Sequence, residues 1–142
     1  MARSILVAHD GSSHAQAALE YALETFPDAR LVLFHAIDPF EVIPDAEDRL
    51  PPLTEEWRDQ QQTAAEELFE SALADVDAGD ATIETATAMG SPAQTILGYV
   101  EDHDVDGIVM GSRGGTGSVD VRLGSVAELV VRRADVPVTV VR

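Results

Sequence analysis

The chain of 142 residues predicts an α/β fold: one open, doubly wound parallel sheet of five strands in the order 3-2-1-4-5, with helices on both faces, Rossmann-like or flavodoxin-like. Three observations point there. Short apolar runs alternate with stretches of helical periodicity from end to end, the pattern of parallel strands joined by right-handed crossover helices. Serine followed three residues on by glutamine or glutamate marks the start of helices at Ser13/Gln16, Ser91/Gln94 and Ser125/Glu128. The length suits a single domain over residues 1–142, and neither an internal repeat nor a low-complexity tract interrupts it.

Taken in order, Ser4 to His9 (SILVAH) reads as the first strand. A helix follows from Ser13, with Leu19, Ala22, Leu23 and Phe26 on one apolar face. The second strand is Leu31 to Ile37 (LVLFHAI). Asp38 to Leu53 holds four of the seven prolines and is rich in acids, so it reads as an irregular excursion expected to be mobile. A long helix over about Thr54 to Asp77 presents Trp57, Ala64, Leu68, Ala72, Leu73 and Val76 to the sheet, with Gly79 past its end. Ala81 to Ala88 is the third strand, and Ser91, Pro92 and Gln94 open a helix through Ile96, Leu97 and Val100. Gly107 to Met110 is the fourth strand. The last helix starts at Ser125 with Val126, Leu129 and Val130 inward, and Val136 to Val141 is the final strand.

Charge narrows the function. The formal net charge is −17, and all nine basic residues are arginine. A field of that size opposes compaction unless salt screens it, and the absence of lysine marks the surface of a halophile's protein. Nucleic acid and anionic membranes are unsuitable partners. No apolar run reaches the ~20 residues of a membrane span and no signal peptide is evident, so a soluble, cytoplasmic protein is expected. Without cysteine there are no disulfides, thiolate metal sites or cysteine nucleophiles. Residues 1–104 hold four arginines against 22 acids, whereas residues 105–142 hold five against four, so an anion is best tolerated in the last third.

In sheets of this kind ligands bind outside the carboxyl ends of the strands where the strand order reverses, here between strands one and four. Those ends carry Ala8-His9-Asp10-Gly11-Ser12 and Met110-Gly111-Ser112-Arg113-Gly114. Six of the ten glycines fall between Gly107 and Gly124. Gly111 and Gly114 allow backbone N–H groups to approach an anion closely, and the helix start at Gly124-Ser125 adds free N–H groups and a positive dipole end. Glycine clusters are more often plain turns, however, and Ser125 with Glu128 is fully explained as a cap. Spacing alone favours the turn.

The spacing Gly111-x-x-Gly114, nine residues, then Gly124-Ser125 resembles the nucleotide-binding signature G-x2-G-x9-G-[S/T] of the universal stress protein family. The resemblance runs the whole length, through ILVAHDGS, FHAIDP, MGSPAQTI and IVMGSRGG to LGSVAELVVRRADVPVTVV. It implies ATP or AMP bound at the switch point, with Mg2+ (or Mn2+) on the phosphates. Asp10 resembles the acid beside the adenosine and near the metal-bound phosphates, with Ala8 and His9 as backbone neighbours; no protein metal ligand beyond Asp10 is implied. Ala36 resembles the small residue against adenine, and Met110 with Gly111 the pair beside the ribose. Gly114, Gly124, Ser125 and Val126 resemble the phosphate-binding groups, with Arg113 at a polar or basic position. The family usually forms homodimers, often by pairing final strands. Two residues depart from the pattern: His9 stands where proline, valine or threonine is commoner, and Asp120 puts a negative charge inside the nine-residue segment.

Rival readings have less support. A receiver domain and a P-loop both require a lysine, and G-x-S-x-G is absent. His9, His14, His35 and His103 lack metal-ligand spacing. His9 beside Asp10 suits either a proton acceptor for slow ATP hydrolysis or a hydrogen-bonded strand-end residue, the latter being commoner. The sequence therefore points to a nucleotide-binding regulatory module with no assigned catalytic residue and at most slow ATP hydrolysis. The alternatives are a partner-binding stress protein independent of nucleotide, and a weak ATPase or self-phosphorylating protein using Ser112, Thr116 or Ser118.

Overall fold

The computed structural model describes residues 3–39, 53–113 and 123–142. The elements follow the expected alternation: β1 (Ser4–Ala8), α1 (Ser13–Thr25), β2 (Arg30–Ile37), α2 (Glu55–Ala74), β3 (Thr82–Met89), α3 (Pro92–Asp102), β4 (Gly107–Gly111), α4 (Ser125–Arg133) and β5 (Val138–Val141). All five strands are parallel, in the order β3-β2-β1-β4-β5. The expected 3-2-1-4-5 order is thus the observed one. Apart from Asp38, Pro39 and Leu53, the proline-rich excursion lies outside the described residues.

Strand alternation sends successive side chains to opposite faces and so builds two cores. On one face Ile5, Val7, Leu31, Leu33 and Val109 pack against Ala18, Leu19 and Ala22 of α1 and Ala65, Phe69 and Ala72 of α2. On the other, Leu6, Phe34, Ile108 and Met110 pack against Ala93, Ile96 and Val100 of α3 and Ala127 and Val130 of α4. Along α2 the buried positions are Trp57, Ala65, Phe69 and Ala72, while Ala64, expected inward, is exposed. The reason is the ~100° turn per residue, which puts Ala65 rather than Ala64 in line with Phe69 and Ala72. In α4 the fully buried pair is Ala127 and Val130; Val126 and Leu129 are half-buried on its flanks.

Two of the three expected capping boxes are replaced by different caps, and the third lacks its side-chain bond. Ser12, not Ser13, caps α1 by accepting from the Ala15 N–H at 3.1 Å. Gly124, not Ser125, caps α4, and Glu128 pairs instead with Arg132 at 3.0 Å. Ser91 caps α3 without a side-chain bond, ahead of Pro92 at the first turn. Thr54 caps α2 through the Trp57 N–H, at 3.2 Å. Pro137 lies just before β5, and its carbonyl accepts from the Ile108 N–H at 2.9 Å. Among the described residues no helix is long and apolar enough to cross a membrane.

Candidate functional site

A cleft of about 410 Å3 opens at the carboxyl ends of β1 and β4, where the chain leaves toward opposite sides of the sheet. Its apolar wall is built by Phe34 and Ala36 of β2, Ala8 of β1, Met110 of β4, and Pro92 and Ile96 at the start of α3. Opposite lie Ser112, Arg113 and the first turn of α4, with Asp10 and Ser12 at the end of β1. An apolar slot ending in polar donors is the usual design of a small-molecule site.

Ten of the eleven site residues expected from the sequence border this cleft: Ala8, His9, Asp10, Ala36, Met110, Gly111, Arg113, Gly124, Ser125 and Val126. Gly114 lies outside the described residues, as do Thr116, Ser118 and Asp120. The cleft also includes Ser12 and Ser112, which lie in the two strand-end stretches expected to meet here, and Ala15, Phe34, His35, Pro92, Ile96 and Ala127, which were not expected in it. Phe34 and Ile96 read as core in a sequence, and they are core as well as wall: both are almost fully buried in the α3/α4 face of the sheet.

The turn after β1 is held by bonds from its own amides to nearby side chains. Gly11 has φ +88°, a left-handed conformation that favours glycine, and its N–H donates to His9 Nδ1 at 3.0 Å. The Ser12 N–H donates to Asp10 Oδ1 at 2.9 Å, and the Ala15 N–H to Ser12 Oγ. Asp10 and Ser12 themselves border the cleft. His9 shares the strand parity of Ile5 and Val7, and both of its ring nitrogens are engaged, Nε2 with Gln16 Oε1 at 2.9 Å. His35 Nδ1 donates to the His9 carbonyl at 2.9 Å.

The start of α4 is capped without any side chain. Its cap is Gly124, and the first-turn N–H groups of a helix have no partner within it. Ser125, at the first helical position, keeps its hydroxyl out of any capping bond and borders the cleft. Ser112 fixes this start: its carbonyl accepts from the Gly124 N–H at 2.7 Å, while its own N–H donates to the Val141 carbonyl at 2.8 Å. With Arg113 alongside, this helix start concentrates positive potential at the cleft, and among the described residues that line it Asp10 is the one carboxylate.

Gly111 serves a purpose that its place in a glycine signature does not reveal. A Cβ there would lie 2.8 Å from the backbone carbon of His14 and 2.9 Å from its carbonyl oxygen. The residue is what lets α1 lie directly on β4. Among the described residues no group of three or more His, Asp or Glu side chains is placed to hold a metal ion.

The model of the universal stress protein family matches residues 1–142. A universal stress protein of Thermus aquaticus is 36% identical over 146 residues, covering 100% of both chains. The solved structure of the Methanocaldococcus jannaschii protein MJ0577, a universal stress protein, superposes with a TM-score of 0.81 at 29% identity, covering 99% of this chain and 96% of that one. A universal stress protein of Arabidopsis thaliana solved with AMP bound has a TM-score of 0.68 at 22% identity, over 98% and 90% of the two chains, a likeness of fold. Structures with similar folds have also been solved with cAMP, and with dAMP for the Archaeoglobus fulgidus protein, at 22% and 18% identity and TM-scores of 0.66 and 0.64, covering 99% and 100% of this chain and 97% and 98% of those. This chain belongs to the universal stress protein family.

Proposed function

We propose that this protein is an adenine-nucleotide binding module of regulatory or stress-response type, taking ATP or AMP in the cleft and hydrolysing ATP slowly or not at all. The observation that carries the reading is the pairing of a helix start without a side-chain cap, Gly124-Ser125 beside Arg113, with an apolar slot formed by Phe34, Ala36, Ile96 and Met110. Phosphate suits the helix start, and a purine ring suits the slot. That relatives of the same fold have been solved with AMP, cAMP and dAMP supports this choice of ligand.

Asp10 fits a divalent cation carried in by the phosphates. Mg2+ is typically held by one or two carboxylates plus phosphate oxygens and water, and Asp10 is exposed at the cleft with one oxygen committed to the Ser12 N–H. Mg2+ or Mn2+ bound there would neutralise phosphate charge. Neither His9 nitrogen is available to take a proton from water, which argues for retention of nucleotide over its turnover.

Denaturing the protein after purification in molar salt is expected to release AMP or ATP in near-stoichiometric amount, identified by chromatography and mass. If no nucleotide is released and titration with Mg-ATP in the same buffer gives no heat, the reading falls to a partner-binding stress protein independent of nucleotide. The chain is proposed to act as a single domain, in the cytoplasm, and as a homodimer through β5, an edge strand whose four residues are all half-buried in the single chain.

The charge of −17 without lysine supports a halophilic origin. Secondary structure followed by circular dichroism is expected to be lost as salt falls well below about 1 M, where the Debye length grows beyond ~3 Å and carboxylate repulsion spreads. Full stability in dilute buffer would refute this.

A further inference from the structure

We infer that His9 is a positioning residue of the cleft: its Nδ1 holds the Gly11 amide and so fixes the turn that presents Asp10 and Ser12 to the nucleotide. The inference rests on the nucleotide reading above, since it concerns how that site is held. His9 is 5% exposed, and all four of its hydrogen-bonding atoms are used. Its N–H donates to the Phe34 carbonyl at 2.8 Å, and its carbonyl accepts from His35 Nδ1. Because Gly11 N–H can only donate, Nδ1 is the acceptor and the ring proton resides on Nε2, facing Gln16 Oε1.

Gln16 in turn donates from Nε2 to the Ala72 carbonyl at 3.0 Å. Ala72 is in the last turn of α2, where carbonyls lack a partner within the helix. The chain of bonds thus runs from the carboxyl end of α2, through Gln16, to the imidazole, and ends on the amide of the one residue in the turn with a left-handed φ. Each member orients the next. An apolar side chain at position 9 would leave the Gly11 N–H and the Gln16 carbonyl unpartnered, freeing the turn to rotate Asp10 away from the cleft. Asparagine would not, because its side-chain oxygen reaches the N–H two residues on.

The test compares the parent protein with His9→Leu, His9→Asn and Gln16→Met in molar salt. AMP affinity is measured by calorimetry, and the Gly11 amide is followed by hydrogen exchange with NMR detection. His9→Leu is expected to weaken AMP by about tenfold or more and to strip protection from the Gly11 amide, and His9→Asn to restore both to within about threefold of the parent. Binding by His9→Leu within about twofold of the parent, or His9→Asn as weak as His9→Leu, overturns the inference. Should His9→Leu not fold, Gln16→Met decides. With the imidazole no longer held from Nε2, protection of the Gly11 amide is expected to fall and AMP to weaken severalfold, and unchanged protection and affinity overturn the proposal. A parent that binds no AMP or ATP defeats the nucleotide reading instead, while Gly11 protection in the parent and in His9→Leu still decides whether the hydrogen bond holds the turn.

Discussion

Replacing Phe34 with alanine is expected to cost the fold about 3–5 kcal/mol and to weaken AMP binding in the protein that remains folded. The side chain is 1% exposed, in the middle of the sheet, and its ring centroid lies 5.3 Å from that of Tyr99 on α3, at 54°. Its loss removes a large buried apolar volume and an aromatic contact together, and it leaves a cavity that the rigid strands on either side cannot close. Phe34 also borders the cleft at the ends of β1 and β4, so the same cavity enlarges the apolar slot at its base. Equilibrium unfolding in denaturant, with AMP titrated into the variant under folding conditions, separates the two effects. A loss below 1 kcal/mol would mean that the α3/α4 face can repack, contrary to the packing described above.

Gly111→Ala is expected to destabilise by about 1–3 kcal/mol or more, although it adds only a methyl group. The new carbon would sit 2.8 Å from the His14 backbone, and a helix backbone cannot swing aside as a long side chain can. Relief requires α1 to lift off β4, which also displaces the Ser12 cap and the wall formed by Met110, Gly111 and Ser112. Gly124→Ala provides the control. A Cβ there meets Arg113 Cα and the Ser112 carbonyl oxygen at 3.4 Å, ordinary contact, so its unfolding transition is expected to match the parent's closely. Equal destabilisation by the two substitutions would refute the distinct part given to Gly111.

The contrast between these glycines shows where sequence reasoning reached and where it stopped. Strand order and the location of the cleft were legible because apolar runs and crossovers leave few topologies, and the ends of β1 and β4 must then meet. Helix starts were legible to within one residue, since Ser12 and Ser13 are adjacent and only backbone geometry decides which of them caps. Side chains with long reach were misread for a physical reason. Gln16 and Glu128 both suit a capping box, but a carbonyl 56 residues away claims one and a neighbouring arginine the other. Local patterns do not carry such competition. Phe34 and Ile96 were missed as cleft residues because one aromatic or aliphatic side chain can be core on one side and wall on the other.

Ser112 joins two parts of the molecule that are otherwise distinct: its N–H holds Val141, the last residue of the edge strand, and its carbonyl holds Gly124, the cap of α4. The two groups belong to the planar peptide units on either side of the Ser112 Cα, so only two torsions separate them and a displacement of one is passed to the other across a single residue. If another subunit docks along β5, the work done on that strand therefore reaches the ligand pocket within one residue. Thermodynamic linkage then makes the traffic two-way: filling the pocket changes the affinity of subunits for each other by the same factor that assembly changes the affinity for ligand. Such a protein would meter its ligand by its own concentration, and dilution alone would act as a release signal.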